Sequence, residues 1–202
     1  MPQLTVTQNA IQAQPGMAFD AEASARDVIS VVAAANIPFG AYCEFTAAGL
    51  LQVMQDATTG ASFVPTAAGG CKPAGIAMFD PMGVEQNYTA FAVPATTSGS
   101  TSSGWLKGQA VPVMRRGRIW VLGDASGTQL NYGPINVNHS STGSFSQGVF
   151  TFSAVSATAG HEIDIAPSCI AFNPTLAGGT SGLSVTDPFG NVFKMYPVEI
   201  NL

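Results

Sequence analysis

Gly108-Gln109-Ala110-Val111-Pro112-Val113-Met114-Arg115-Arg116-Gly117-Arg118-Ile119-Trp120-Val121-Leu122-Gly123 decides how this 202-residue chain is read. Val111 and Val113 share a face, as do Ile119 and Val121, because side chains in strands repeat with period two. Between them Arg116-Gly117 reads as the tight turn of a β-hairpin. Gly117 accepts the positive φ that a short reversal needs, and Gly108 and Gly123 bracket the two arms. The stretch is also basic: Lys107, Arg115, Arg116 and Arg118 are four of the seven Lys and Arg residues in the chain. Arg and Trp are enriched at protein interfaces, which makes Arg115, Arg116, Arg118 and Trp120 candidate partner contacts. The competing reading is a charged hairpin tip that discourages aggregation.

Strand patterns continue on both sides. They cover Tyr42–Phe45, Leu50–Met54, Gly75–Phe79, Tyr88–Val93, Gly148–Val155, Glu162–Ile165, Ile170–Phe172, Leu183–Thr186 and Val192–Leu202. In the last of these Tyr196, Val198, Ile200 and Leu202 share a face, and Pro197 suggests an edge position or a kink. Turns such as Asp80-Pro81-Met82-Gly83 and Asp187-Pro188-Phe189-Gly190 separate the strands, as in a sandwich, jelly roll or small barrel. Residues 41–202 are thus expected to form a single all-β domain, with long polar loops at 95–104, 123–147 and 173–182.

Residues 1–40 read differently. The first 19 are polar and Gln-rich without a sustained period, a composition that orders only against something else. Asp20 suits the cap of a short helix from about Ala21 to Ala35, yet Val28, Ile29, Val31 and Val32 favour a strand, so both states stay open. Ile37-Pro38-Phe39-Gly40 then ends any helix, since the residue before proline is pushed out of the α region. The expectation is an extended N-terminal arm with room for one short helix.

Charge is the oddity of the composition: 9% Asp, Glu, Lys and Arg, where soluble domains carry about 25%. Charged groups are depleted from interface cores, so a surface this poor in them suits one covered by partners. A Ser/Thr/Gln-coated secreted β-protein is the alternative. The apolar run Val28–Ala35 falls far short of the ~20 residues that span a bilayer, and Met1-Pro2-Gln3-Leu4-Thr5 has no signal-peptide pattern, so no membrane partner is expected. Net charge of −5 argues against nucleic acid. Cys43, Cys71 and Cys169 are odd in number and widely spaced, as in buried thiols of a reducing compartment.

Catalytic motifs are absent. There is no G-x-S-x-G elbow, phosphate loop or H-E-x-x-H, and the two histidines, His139 and His161, have no assembled partners. At strand spacing Glu162 and Asp164 share a face, but two carboxylates fall short of the 6–8 oxygens calcium takes. No enzyme activity, metal or cofactor is expected.

Four pieces occur in a telling order: Gln14-Pro15-Gly16-Met17, Ala33-Ala34-Ala35-Asn36-Ile37-Pro38-Phe39-Gly40, Gly75-Ile76-Ala77-Met78-Phe79-Asp80, and Val111 through Val121. Over about residues 12–125 the chain resembles the structural cement, or decoration, proteins of tailed-phage capsids. The resemblance implies a jelly-roll or small β-barrel body, β-tulip-like, and self-association as a homodimer or homotrimer. It implies docking on the exterior of an HK97-type shell, with the major capsid protein as partner and assembly in the host cytoplasm, without a cofactor. Ile37, Pro38 and Phe39 join the arginines and Trp120 as candidate contacts. The Ser/Thr/Gly stretch at 95–104 and the loop after Gly123 have no counterpart in the resemblance, and the last third reads as an elaboration. A rival reading is a carbohydrate-binding β-module of a tail fibre or secreted appendage, with Trp105, Asn131 and Tyr132 as sugar contacts.

Overall fold

The computed structural model describes residues 16–18, 27–54, 72–79, 91–92, 101–102, 104–123, 135–138, 148–151, 162–165, 169–171, 183–186 and 192–202. Every regular element among them is a strand. The first eight are β1 (Asp27–Val32), β2 (Ile37–Pro38), β3 (Tyr42–Phe45), β4 (Leu51–Val53), β5 (Lys72–Ala77), β6 (Phe91–Ala92), β7 (Thr101–Ser102) and β8 (Gly104–Trp105). The rest are β9 (Ala110–Gly123), β10 (Asn136–Asn138), β11 (Phe150–Thr151), β12 (Glu162–Asp164), β13 (Cys169–Ala171), β14 (Leu183–Thr186) and β15 (Val192–Asn201). Among the described residues 11 strands form one sheet, and β2–β8 and β6–β7 make two small pairs. The body is all-β, of the jelly-roll or small-barrel kind.

The stretch expected to be a hairpin is one continuous strand of 14 residues, β9. Hairpin turns of type I′ need positive φ at both central residues and type II′ at the first, so Arg116 in first place, where Asn, Asp or Gly is favoured, suits neither. Gly117 does take positive φ, 131°, but within the continuous strand, just after a bulge. Pairing with β1 jumps from Val28↔Met114 to Asp27↔Arg116, which leaves Arg115 as the extra residue. A one-residue bulge exchanges the faces that later side chains occupy. Val111 and Val113 accordingly enter one core, while Met114 before the bulge and Ile119 and Val121 after it enter the other.

β9 is the axis of assembly. β1 pairs with its first half and β15 with its second, and Asp27 and Asn201 both register with Arg116. β5 pairs with Val113 and Met114, and β11 joins in parallel at Gly123. The first core holds Tyr42, Ile76, Met114, Phe150 and, from β15, Tyr196, Val198 and Ile200, with Leu202 packed against it. The second holds Ile37, Phe39, Cys43, Leu51, Trp105, Val111 and Val113. Tyr42 and Cys43, neighbours on β3, thus face opposite cores, which is why β3 reads as a continuously apolar strand apart from Glu44. Each large side chain buried here contributes roughly 1.5–3 kcal/mol.

Pro197 corrects a second expectation, since β15 is flanked on both sides. The Trp120 N–H donates to Met17 (2.9 Å) and its carbonyl accepts from Gly16 (2.7 Å), so its backbone turns away from Pro197, its partner in register. The N–H that Pro197 lacks would therefore face the other side. There β14 pairs up to Met195 and β13 starts at Val198, so proline falls in the gap between them.

Two further expectations change. Residues 27–32, open between helix and strand, are β1, and Gly16–Ala18 also lie against β9. The span 123–147, expected as loop, contains the buried strand β10, whose Asn-Val-Asn sequence has little intrinsic β preference. Asn136 and Asn138 pair with Asp164 and Glu162 of β12, while Val137 enters the first core. Asp20, Cys71, Asn131, Tyr132, His139, His161 and the span 173–182 lie outside the described residues.

Cys43 and Cys169 are buried and form no disulfide. Burial pushes the Cys43 thiol far up, and its S–H donates weakly to the Ala41 carbonyl at 3.5 Å. Thiolate is the reactive form. In a Cys71→Ser chain, a thiol reagent at pH 8 should label neither cysteine until denaturant is added. Labelling of the native protein within minutes would contradict this packing.

Candidate interaction surface

The basic residues of β9 divide by environment. Arg116 is exposed, and Arg115 is partly buried at the bulge, its carbonyl accepting from the Leu202 N–H at 2.9 Å. Arg118 stands across from Glu199 in register and donates to it through Nε at 3.0 Å. Both side chains of that pair are more than 40% exposed, so solvent screens it and its share of stability is small. Arg118→Ala or Glu199→Ala should each cost less than about 1 kcal/mol. A thermal midpoint within ~3 °C of the parent protein checks this. Lys107 lies apart in the turn before β9, its N–H donating to Asn36 Oδ1 at 3.0 Å. Trp120 is half-buried and tied by its backbone to Gly16 and Met17.

Ile37, Pro38 and Phe39 are interior. Ile37 pairs with Trp105 across the β2–β8 ladder, and Phe39 sits edge-on to Phe79 and Trp105 at centroid distances of 5.2 and 5.8 Å. The Trp105 indole N–H donates to the Met78 carbonyl at 2.8 Å. These aromatics close one end of the second core. The sugar-contact reading of Trp105 loses its basis, because its ring is 6% exposed and its polar edge is satisfied.

What sequence reasoning missed is β1. Val28 and Val32 are 42% and 45% exposed, and with Leu50 they are the large hydrophobic side chains left at the surface among the described residues. Ile29 and Val31 pack against the second core, so β1 is apolar on both faces while one of them meets solvent. The signal was the apolar run itself, ambiguous because Ala33-Ala34-Ala35 favours helix. Among the described residues no helix is long and apolar enough to cross a membrane, and no three His, Cys, Asp or Glu side chains gather as a metal site.

No match is found among curated protein sequences. Among solved structures, a chain from "The capsid of Myoviridae Phage XM1" is similar, with a TM-score of 0.55 at 16% identity, covering 93% of this chain and 89% of that one. That likeness is one of fold. The sequence matches the family described as "Structural cement protein (E217 gp24/Pam3 gp6)" over residues 2–185, which brings most of the last third inside the family rather than leaving it an elaboration. With its all-β body and its match along most of its length, the chain belongs to the structural cement proteins of phages.

Proposed function

We propose that this protein binds the outer face of an HK97-type shell and holds neighbouring major capsid subunits together, self-associating as it does so. Family membership across residues 2–185 carries the reading. A surface with few ionised groups and with exposed Val28, Val32 and Leu50 supports it, because such a surface gains most by being covered. Residues 1–40 and the arginine region of β9 supply the contacts in this reading. Arg116 and Arg118 act at the surface, while Ile37, Pro38 and Phe39 act from inside by fixing where β1 lies. An arm tethered to the body adds a second attachment whose effective concentration is high, so many copies of an ordinary contact brace a shell.

The test is occupancy on purified shells lacking the protein. Removing residues 1–14, just short of the Gly16 contact with β9, should lower apparent affinity by ~100-fold, within the range tethering gives, with thermal stability kept. Unchanged occupancy would remove the arm from the reading. No binding by the intact protein would overturn the reading itself.

A further inference from the structure

β10 and β11 bury three polar side chains completely: Asn136, Asn138 and Thr151. Asn136 Oδ1 and Nδ2, Asn138 Oδ1 and Nδ2, and Thr151 Oγ1 have no hydrogen-bond partner within the chain. Native proteins seldom keep such atoms without an ordered water or an ion among them. The three side chains share a face. Val137 and Phe150, in register with each other, enter the first core, so Asn136, Asn138 and Thr151, one position away, project from the opposite side of the sheet. Asn136 stands directly across from Thr151, and Asn138 lies two residues along. The main chain here is already committed: the Asn138 N–H donates to the Val149 carbonyl at 3.0 Å, and its own carbonyl accepts from Gly148 at 2.8 Å.

On the other flank of β10, the ladder with β12 sets Asp164 opposite Asn136 and Glu162 opposite Asn138. Positions directly opposite in an antiparallel pair lie on one face. The register therefore brings two carboxylate residues to the side of the sheet that holds the three polar ones. Their charge finds no counter-ion in the surrounding sequence, because residues 119–193 contain four Asp and Glu and no Lys or Arg.

We propose that β10, β11 and β12 hold a calcium ion, bound by Asn136 Oδ1, Asn138 Oδ1 and Thr151 Oγ1 together with the carboxylates of Asp164 and Glu162. Two carboxylates alone fall short of calcium's shell of about 6–8 oxygens. Three neutral oxygens on the adjacent strands bring the set to between five and seven, as each carboxylate binds through one oxygen or two. The ion supplies the positive charge that the segment lacks, and the amide N–H groups gain ligating carboxylates to donate to. A closed site of amide, hydroxyl and carboxylate oxygens suits calcium better than magnesium, which keeps several of its waters. Bound there, the ion clamps strands whose ladders are only two and three residues long. The inference is independent of shell binding.

Thermal unfolding of the full-length protein in calcium and in EDTA tests the site. Calcium at ~1 mM, about a hundredfold excess for a site of ~10 µM affinity, should raise the thermal midpoint by ~5–10 °C. Equilibrium dialysis should find a single calcium per chain. Magnesium at the same concentration should shift the midpoint far less. Glu162→Gln/Asp164→Asn should lose the shift entirely, and Thr151→Val should need at least about tenfold more calcium to show it. Asn138→Leu separates an ion site from ordinary packing. In EDTA it should melt no lower than the parent, because it removes an unpaired buried amide, whereas in calcium it should melt lower. A parent midpoint that is the same in calcium and EDTA, with no ion retained on dialysis, overturns the proposal and leaves water as the occupant. So does an undiminished shift in the carboxamide variant, an equal response to magnesium, or an Asn138→Leu protein that melts below the parent even in EDTA.

Discussion

Gly75→Ala should lower stability by about 3 kcal/mol or more. Gly75 lies in a second bulge, where the register between β3 and β5 steps from Cys43↔Gly75 to Glu44↔Pro73, and its φ is 136°. A side chain at that φ is strained before it meets anything. The added Cβ would also overlap the Met114 carbonyl oxygen and lie 2.8 Å from Val113 Cγ1. Neither can retreat, because Met114 and Val113 are fully buried and their backbone is the β5–β9 ladder. At 2–4 °C per kcal/mol for a chain of this size, the thermal midpoint should fall by roughly 6–12 °C. Gly49→Ala separates the two causes: it shares a positive φ (76°) but meets nothing within 4 Å, so it should cost only ~1–2 kcal/mol. Equal losses at the two sites would show that overlap contributes nothing and that β5 and β9 are not packed as described.

Phe150→Ala should cost about 3–5 kcal/mol, the range for removing a fully buried aromatic ring. Phe150 is fully buried in the first core, edge-on to Tyr42 at 6.0 Å. It also stands where β11 pairs with β10 on one side and, in parallel, with Gly123 of β9 on the other. The ring therefore closes the space between elements distant in sequence, and no neighbour is free to slide into the void. Burial also pushes the Tyr42 hydroxyl far up, so the parent protein should hold it neutral. Because the folded pKa is raised, the stability this group contributes is intact below pH ~10 and declines as pH rises beyond it. In urea, Phe150→Ala should shift the midpoint strongly with little change in slope, and Phe150→Leu should recover most of the loss. A cost below ~1 kcal/mol for the alanine variant would mean that this core is open.

Much of the β framework was legible because alternation is a local signal. The expected Tyr42–Phe45 and Leu183–Thr186 coincide with β3 and β14, and Tyr196, Val198, Ile200 and Leu202 do share one core-facing side. Failures came where a residue's role is set across strands. Gly117 looks the same in a turn and inside a long strand, and only the registration of β1 and β15 against β9 decides between them. Asn136 and Asn138 carry no strand preference and are held by neighbours on both sides. Pro197 reads as an edge residue, since sequence alone does not reveal that two short strands share its flank. The interaction surface was less legible than the fold. Arg116 and Arg118 were visible as outliers in a chain poor in charge, whereas Ile37, Pro38 and Phe39 look alike whether they cover a partner or their own core, and β1 was hidden by its alanine-rich flank.

β15 also bears on how the molecule is made. It supplies Tyr196, Val198 and Ile200 to the first core and flanks β9 over the whole of its second half, from Arg116 to Gly123. During synthesis those contacts must wait until the ribosome has released residues some 80 positions beyond their mates, a long-range closure of the slow kind. Until then Ile119 and Val121 lie bare, and a stalled or clipped product has a gap where its centre belongs. Only a chain translated through β15 can complete this core.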